Sequence, residues 1–356
     1  MACSLGNFIF KSLVNSFLII IFLVFSGGIS TAKEVEPGKS KTDYILHHVK
    51  DSHEWHITTL GHTHVTLPLP IILYSKDRGL EVFSSNRFLD TGTHERVSYS
   101  GYYLDDHGKI AAEDESRTYY DFSITKNVSM LFLTIIVLVF VMLSVANRYK
   151  KYPNKAPKGL ASFFEPIIIF IRDEIAKPNI PQKYEKFLPY LLTLFFFIWF
   201  GNILGLMPGA ANLTGNIAVT FVLATITFIL TNINGNKEYW KHIFATPGVP
   251  KLLLLILVPV EFIGLFTKPF SLMVRLFVAI TAGHIVILSI IGLAFIFNSY
   301  VIGFASSILV IFVNIIEILV ATIQAYVFTL FSAMYIGAAS TEHAHEDHKT
   351  DKALIH

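Results

Sequence analysis

Arg275 is a permanent positive charge inside an apolar stretch, 268–284, that reads KPFSLMVRLFVAITAGH. An arginine at the centre of a membrane helix costs about 2.5–3.5 kcal/mol on insertion scales, so such residues face protein or water and commonly serve a function. Arginine also stays protonated when it is buried, unlike lysine. Arg275 can therefore hold a fixed charge but cannot carry a proton.

Further polar residues stand in the apolar stretches near this arginine. Asn314, Glu317 and Gln324 are separated by three and seven residues, a spacing that places them on one face of a helix. His284 lies nine residues after Arg275, about half a turn round a helix. We therefore expect the arginine and the histidine to face different parts of the protein.

These polar residues predict a path for protons when they are taken together. A single intramembrane polar residue can simply hydrogen-bond a neighbouring helix. Histidine and carboxylate groups bind and release protons, whereas a fixed arginine can hold the charge of a passing carboxylate and block leakage between two half-paths. The residues are Arg275, Glu317, Gln324, His284 and Glu261.

The composition indicates an integral membrane protein. Hydrophobic residues make up 53% of the chain and charged residues only 15%, unlike an ordinary soluble domain. The net charge of +2 says little about partners, because in a membrane protein the positions of lysine and arginine matter more. No GxxxxGK[ST] phosphate loop is present, so we expect neither nucleotide binding nor catalysis by the chain itself.

Residues 1–126 are predicted to be an exported region behind a signal peptide. Residues 1–32 contain Lys11, an apolar core at 17–25 and small residues at 30–32, which is typical of a cleaved signal peptide. An uncleaved first span is the alternative, although the core is shorter than the roughly 20 residues of a span. Residues 33–126 are polar, and 54–58 and 79–83 favour strands, so this extension is predicted to be small and β-rich.

The extension is also rich in histidine, and neutral imidazole is a ligand for zinc or copper. No cysteine joins these histidines and no HExxH spacing occurs, so histidines at the surface or in strands are the favoured interpretation, and no metal is expected. The candidates for a metal site are His53, His56, His62 and His64.

The fold class predicted from the remaining chain is an all-α polytopic membrane protein with about five spans. Lysine and arginine clusters at 148–158, 177–186 and 237–251 mark the cytoplasmic side and place the tail, 341–356, there as well. A segment interrupted by Pro166 and Pro178 is predicted to lie along the membrane surface. The apolar segments of the predicted membrane domain, 127–340, are 128–146, 187–207, 216–232, 252–266 (broken at Pro259), 271–297 and 301–338.

Short motifs occur in a fixed order along the membrane domain. They are LPY at 188–190, NxxGxxP at 202–208, SLxxRLF at 271–277, AGH at 282–284, Glu317 with IQAYVF at 323–328, and YIGAA at 335–339. In this order they resemble subunit a of the F-type ATP synthase, the ATPase A chain family. The resemblance covers the chain from about residue 128 to its C-terminus.

The resemblance implies two long oblique C-terminal helices that lie against a ring of c subunits and form two half-channels. Arg275 would be the stator arginine facing the carboxylate of subunit c, with Gln324 beside it. His284 and Glu317 would line the half-channel open to the periplasm, in the histidine-first arrangement also seen in mitochondrial forms. Two further assignments complete the set, Asn216 near the periplasmic half-channel and Glu261 in the cytoplasmic one.

The function that the resemblance implies is a proton-translocating stator subunit in the inner membrane of a bacterium. Its partners would be the c-ring, the subunit b peripheral stalk and the remaining synthase subunits, with no cofactor and no nucleic acid. Protons are favoured over sodium, since the path contains a histidine and carboxylates. The chain departs from the family at Ala279, where most members have asparagine.

Two functions from other classes remain open at the level of the residues. One is a secondary transporter that binds an anionic substrate at Arg275, although no internal repeat of the kind found in such folds is visible. The other is a membrane-anchored metal-binding protein that uses the histidines of the extension. The resemblance disfavours both.

Overall fold

The computed structural model describes residues 53–60, 63–88, 97–105, 109–114, 117–152, 156, 158–207, 210–244, 250–297 and 300–340. The predicted signal peptide, the predicted tail, His62 and residues 33–52 of the extension lie outside these ranges. Two compact units are present. The first consists of residues up to Leu143 with Phe197–Asn216 and Phe277–Gln324, and the second of Ser144–Phe196, Ile217–Leu276 and residues from Ala325 onward.

The extension is β-rich, as predicted. Strands β1 (Glu54–Leu60) and β2 (Thr63–Pro68) form an antiparallel pair, and β3 (Pro70–Ser75) pairs with both β4 (Gly79–Ser84) and β7 (Tyr119–Asp121). β5 (Tyr102–Leu104) and β6 (Ile110–Ala112) form a separate hairpin. The expected strands at 54–58 and 79–83 are thus confirmed.

The core of the extension lies on one face of the three-stranded sheet. Alternate residues of β3 point inward, because successive side chains of a strand face opposite sides, and Ile71 and Leu73 pack there against Leu104 and Ile110 of the hairpin. Tyr102 is fully buried in the same cluster. The hairpin therefore covers this face of the sheet.

The first membrane helices are α1 (Lys126–Lys151), α2 (Leu160–Phe170) and α3 (Tyr184–Gly205). α2 continues through a π-helical segment, Ile171–Ala176, into a last turn, Lys177–Asn179. The prediction that Pro166 and Pro178 interrupt this segment is wrong, since helix runs through both prolines. Proline removes only one N–H group, and a widened π turn in the same segment accommodates the altered backbone bonding.

Helix α4 (Ile217–Ile233) is followed by a short helix, α5 (Lys237–Phe244), at an angle of 103°. α6 (Lys251–Phe297) and α7 (Tyr300–Ser340) are much longer, at 47 and 41 residues. The expected break at Pro259 is wrong, because α6 passes through both Pro259 and Pro269. Each proline frees a single carbonyl group, which a long helix tolerates within a membrane protein.

Among the described residues, four helices are long and apolar enough to span a membrane, or five if α4 and α5 together form one broken span. This count agrees with the prediction of about five spans. At 1.5 Å per residue α6 is about 70 Å long, more than twice the roughly 30 Å of a hydrocarbon core. Such a helix fits a bilayer only if it is steeply inclined, so the two long C-terminal helices are oblique.

Candidate functional site

His284 of α6 and Glu317 of α7 lie side by side within the first unit. Nε2 of His284 is 3.8 Å from Oε1 of Glu317, slightly longer than a direct hydrogen bond. Glu317 is only 3% exposed. Nε2 of His284 and both carboxylate oxygens have no hydrogen-bond partner among the residues that the structure describes. The two groups thus form a buried acid–imidazole pair whose polar atoms are not satisfied by hydrogen bonds within the described ranges.

Gly283 sets the distance between the two helices at this pair. A Cβ atom at position 283 would lie 2.7 Å from Oε1 and 2.9 Å from Cδ of Glu317. Real Cβ atoms essentially never make such close contacts, so the carboxylate occupies space that only glycine leaves open. The close approach of the two helices at a small residue is a common form of packing in membranes.

Lys126, the first residue of α1, is a second charge near the histidine. It is buried, and its charge acts electrostatically on His284. Elsewhere in the same unit, the hydroxyl of Thr214 donates a 2.6 Å hydrogen bond to Oδ1 of the buried Asn202. Polar groups of the first unit are therefore contributed by α1, α3 and the loop before α4 as well as by α6 and α7.

Arg275 lies on α6 in the second unit and is half-buried. Its guanidinium carbon is 4.5 Å from the centre of the Phe331 ring of α7, a cation–π contact. No carboxylate of the described part of the chain forms an ion pair with it. The aromatic face holds the guanidinium group in place without cancelling its charge.

A chain of hydroxyl groups lies in the same unit as the arginine. Tyr190 and Thr227 share a 2.7 Å hydrogen bond, and Thr227 and Ser332 share a longer one of 3.4 Å. Thr227 also borders a small recess, in which Oδ1 of Asn232 has no hydrogen-bond partner within the described ranges. The other polar residues that line the recess are Thr231, Tyr239, Lys268 and Tyr335.

The remaining predicted site residues, Gln324, Glu261 and Asn216, and the atypical Ala279 all lie within the described ranges. Gln324 is half-buried on α7, and Glu261 is half-buried on α6, close enough to Tyr239 for their charges to interact. Asn216 is half-buried immediately before α4, and its N–H group donates to the carbonyl of Leu213. Ala279 is half-buried on α6. The roles given to Gln324, Glu261 and Asn216 remain predictions.

Of the candidate metal ligands, His53 has a described side-chain contact. It is buried, and its Nε2 lies 3.3 Å from Oδ2 of Asp121 in β7. Burial by itself would raise the pKa of Asp121, but hydrogen bonds from His53 and Ser123 outweigh this effect and lower the pKa to about 2. His56 and His64 lie in β1 and β2, opposite Thr66 and Thr59. Within the described ranges, no three metal-binding side chains form a group.

Sequence reasoning missed Phe331, Lys126 and the packing role of Gly283. Phe331 follows Gln324 by seven residues, or two helical turns, and therefore lies on the same face of α7 as the polar residues. Extending that face by two turns in the sequence would have identified it. Gly283 stands within the AGH motif, but nothing in the motif says that a carboxylate lies against it. In the sequence Lys126 is simply the last charged residue before a span, and only its burial reveals a different environment.

Comparison with known proteins gives two matched regions. Residues 128–337 match the family described as ATP synthase A chain, and residues 44–131 match a domain of unknown function, DUF8433. The chain is 48% identical over 235 residues to ATP synthase subunit a of Chloroherpeton thalassium, covering 64% of this chain and 69% of the relative. It is 47% identical over 241 residues to that of Chlorobium phaeobacteroides, covering 66% and 70%.

A more distant relative, ATP synthase subunit a of an Anaeromyxobacter species, is 42% identical over 236 residues, which cover 64% of this chain and 57% of the relative. The family match spans the helices that carry Arg275, His284 and Glu317. The chain therefore belongs to the ATP synthase A chain family, as a multi-pass membrane subunit that is not an enzyme by itself.

Proposed function

We propose that the chain is the proton-translocating stator subunit of a rotary F-type ATP synthase and forms the two half-channels that load and unload the c-ring. The observation that carries the proposal is the buried pair of His284 and Glu317, which lies within the region matched to the family. Protons enter past this pair, neutralise a carboxylate on the ring and leave on the other side. Each proton gains about 2.3 kcal/mol per 100 mV of membrane potential.

The entry step uses the geometry of the pair. A proton arriving through water can bind His284 or Glu317, and at a separation of 3.8 Å a small movement of either side chain brings the two groups within hydrogen-bond distance for proton transfer. Burial of Glu317 keeps the carboxylate away from bulk solvent. Lys126 places a positive charge near His284, and this charge disfavours a long-lived positive charge on the imidazole. The pair is thus suited to pass protons on rather than to hold them.

The stator step uses the unpaired charge of Arg275. Because its contact within the second unit is an aromatic ring, the guanidinium charge is available to a carboxylate that another subunit presents. An ionised carboxylate of the c-ring would be held at Arg275 until it is protonated. The permanent charge of the arginine also stops protons from passing directly from one half-channel to the other. Gln324, on the next helix, is assigned a place beside this contact.

The exit step is assigned to Glu261 and the polar recess of the second unit. Glu261 interacts electrostatically with Tyr239, which lines that recess together with Asn232. Asn216 is assigned to the opposite, periplasmic half-channel. The clusters of lysine and arginine support an exit on the cytoplasmic side of a bacterial inner membrane. The partners in this arrangement are the c-ring, the subunit b stalk and the other synthase subunits.

Replacement of Arg275 by alanine tests the proposal. ATP-driven acidification is measured in inverted membrane vesicles that contain the assembled complex. We expect Arg275→Ala to abolish acidification. Without the guanidinium charge, the ionised carboxylate of the c-ring is no longer held, and no barrier separates the two half-channels. The matched control is Lys150→Ala, which removes an exposed cation from the last turn of α1, and which should leave acidification close to wild type. Wild-type pumping by Arg275→Ala would show that the stator assignment is wrong.

A further inference from the structure

The three-stranded sheet of the extension has one face that is covered by the β5–β6 hairpin and another that is apolar and exposed. Strand register aligns Leu80, Tyr74 and Tyr120 in one row across the sheet. The next row consists of Val82, Ile72 and Phe122, and Phe122 is held to β3 by a hydrogen bond from its N–H group to the carbonyl of Ile72. We call these six side chains the apolar sheet face.

The apolar sheet face is unusually open for a surface made of large hydrophobic residues. Apart from the half-buried Ile72, its members are between 45% and 65% exposed. The third row consists of Pro70 and Ser84, so all eight positions on this side are uncharged. Isolated exposed apolar residues are normal, but contiguous patches on a folded domain mark sites of interaction with a protein or a membrane.

We propose that the apolar sheet face rests in the polar surface layer of the membrane on the side from which α1 begins. The first argument is continuity of the chain. β7 ends at Asp121 and α1 begins at Lys126. The residues between them are held to the sheet, because the N–H groups of Phe122 and Ile124 bond to the carbonyls of Ile72 and Pro70. No slack segment separates the sheet from the span.

The second argument is the reach of that connection. Four residues cover at most about 14 Å when fully extended, whereas the polar layer of a bilayer is roughly 6 Å deep on each side of the hydrocarbon core. A sheet standing upright on α1 would lift the row of Tyr74 and Tyr120 into water. A sheet inclined toward the surface places both rows in the polar layer, and removal of their apolar area from water favours this inclined position.

The third argument is the chemistry and size of the face. Tyrosine is suited to the membrane interface, where its apolar ring and its hydroxyl group are both satisfied, and phenylalanine and leucine are common on the apolar face of segments that lie in the interface. Lys76, in the turn between β3 and β4, is exposed beside the outer row and can approach lipid phosphates. The six side chains present several hundred Å² of accessible surface at most, less than the about 800 Å² per partner that a stable protein interface buries. A lipid surface therefore fits the face better than a protein partner.

Nitroxide spin labels on the full chain test this placement. The native cysteine is removed with Cys3→Ser, and single cysteines are introduced by Leu80→Cys and Tyr120→Cys, both at exposed positions on different strands. Lys109→Cys is the matched control, since Lys109 is exposed next to the β5–β6 hairpin that covers the opposite face of the sheet. The labelled chains are reconstituted in vesicles of phosphatidylcholine and phosphatidylglycerol.

Collision of the label with oxygen, which dissolves in lipid, is compared with collision with a water-soluble nickel chelate. We expect the oxygen-to-nickel ratio at positions 80 and 120 to exceed that at position 109 several-fold. Equal access of the nickel chelate to all three positions would overturn the proposal, because the face would then lie in water. Labels at 80 and 120 that are shielded from both reagents would also overturn it, because a second copy or another protein would then cover the face.

Discussion

Replacement of Gly283 by alanine tests whether the close contact of α6 with Glu317 controls proton entry. The added Cβ would lie 2.7 Å from Oε1, and ordinary van der Waals contact begins at about 3.4 Å, so the carboxylate oxygen must retreat by about 0.7 Å. Overpacking of this kind typically costs about 1–3 kcal/mol of stability. Displacement of a reacting group by about 1 Å can reduce a rate about 100-fold. We therefore expect proton pumping to fall by about 10- to 100-fold.

The assay is ATP-driven acidification of inverted vesicles, corrected for the amount of assembled complex by immunoblotting. Gly264→Ala is the control, because it lies on the same helix and its added Cβ would meet nothing within 4 Å. Alanine there gains up to about 1 kcal/mol of helix propensity and should leave pumping unchanged. Combining Gly283→Ala with Glu317→Asp shortens the crowded side chain by one methylene group, and we expect this double variant to pump faster than Gly283→Ala alone.

Two results would contradict this reasoning. One is wild-type pumping by Gly283→Ala at normal levels of complex, which would mean that the position of the carboxylate does not limit proton entry. The other is a double variant whose loss is simply the product of the two single losses, because residues in contact should not behave independently.

The other predictions concern the extension and the end of α7. Asp121→Asn should weaken the sheet at neutral pH. Because the folded-state pKa of Asp121, about 2, lies below its ordinary value, the hydrogen bonds that its carboxylate accepts from His53 and Ser123 stabilise the sheet above about pH 4, and this stabilisation is lost toward pH 2. After allowance for screening of a one-third exposed carboxylate, the effect is about 1 kcal/mol, measurable by hydrogen exchange of the amides at 122–124 in the full chain. Gly337→Ala should sharply reduce the amount of folded protein, because its added Cβ would collide with the carbonyl oxygen of Asn179. Gly303→Ala, with open space around it, should accumulate normally. Unchanged exchange, or equal accumulation of the two glycine variants, would contradict these contacts.

Much of the architecture follows from the sequence, because the length of each apolar segment predicts whether that segment can span a bilayer. The apolar segments at 128–146 and 187–207 became α1 and α3 with only small shifts of their ends. Residue types that favour strands likewise located β1 and β4. The breaks assigned to Pro259 and Pro166 were wrong, because proline propensity reflects helices in water, whereas a membrane helix keeps its backbone bonds around a proline when no solvent competes for them.

The sequence alone also determined which residue types carry the proposed chemistry. A fixed cation, a histidine and buried carboxylates are rare and costly inside apolar segments, so their presence is informative without a structure. Helical spacing further separated Arg275 from His284 by half a turn. What it could not supply is distance between helices, since residues that touch across α6 and α7 are more than thirty positions apart in the chain.

Only the tertiary structure decided the partners of those residues. In the structure His284 lies 3.8 Å from Glu317, and Gly283 packs against the carboxylate of Glu317. Arg275 contacts the ring of Phe331 rather than a carboxylate. The tertiary structure also aligned three strands so that six apolar side chains share one exposed face. Side-chain type and spacing fix what a group can do, whereas the packing of distant segments fixes which group it meets.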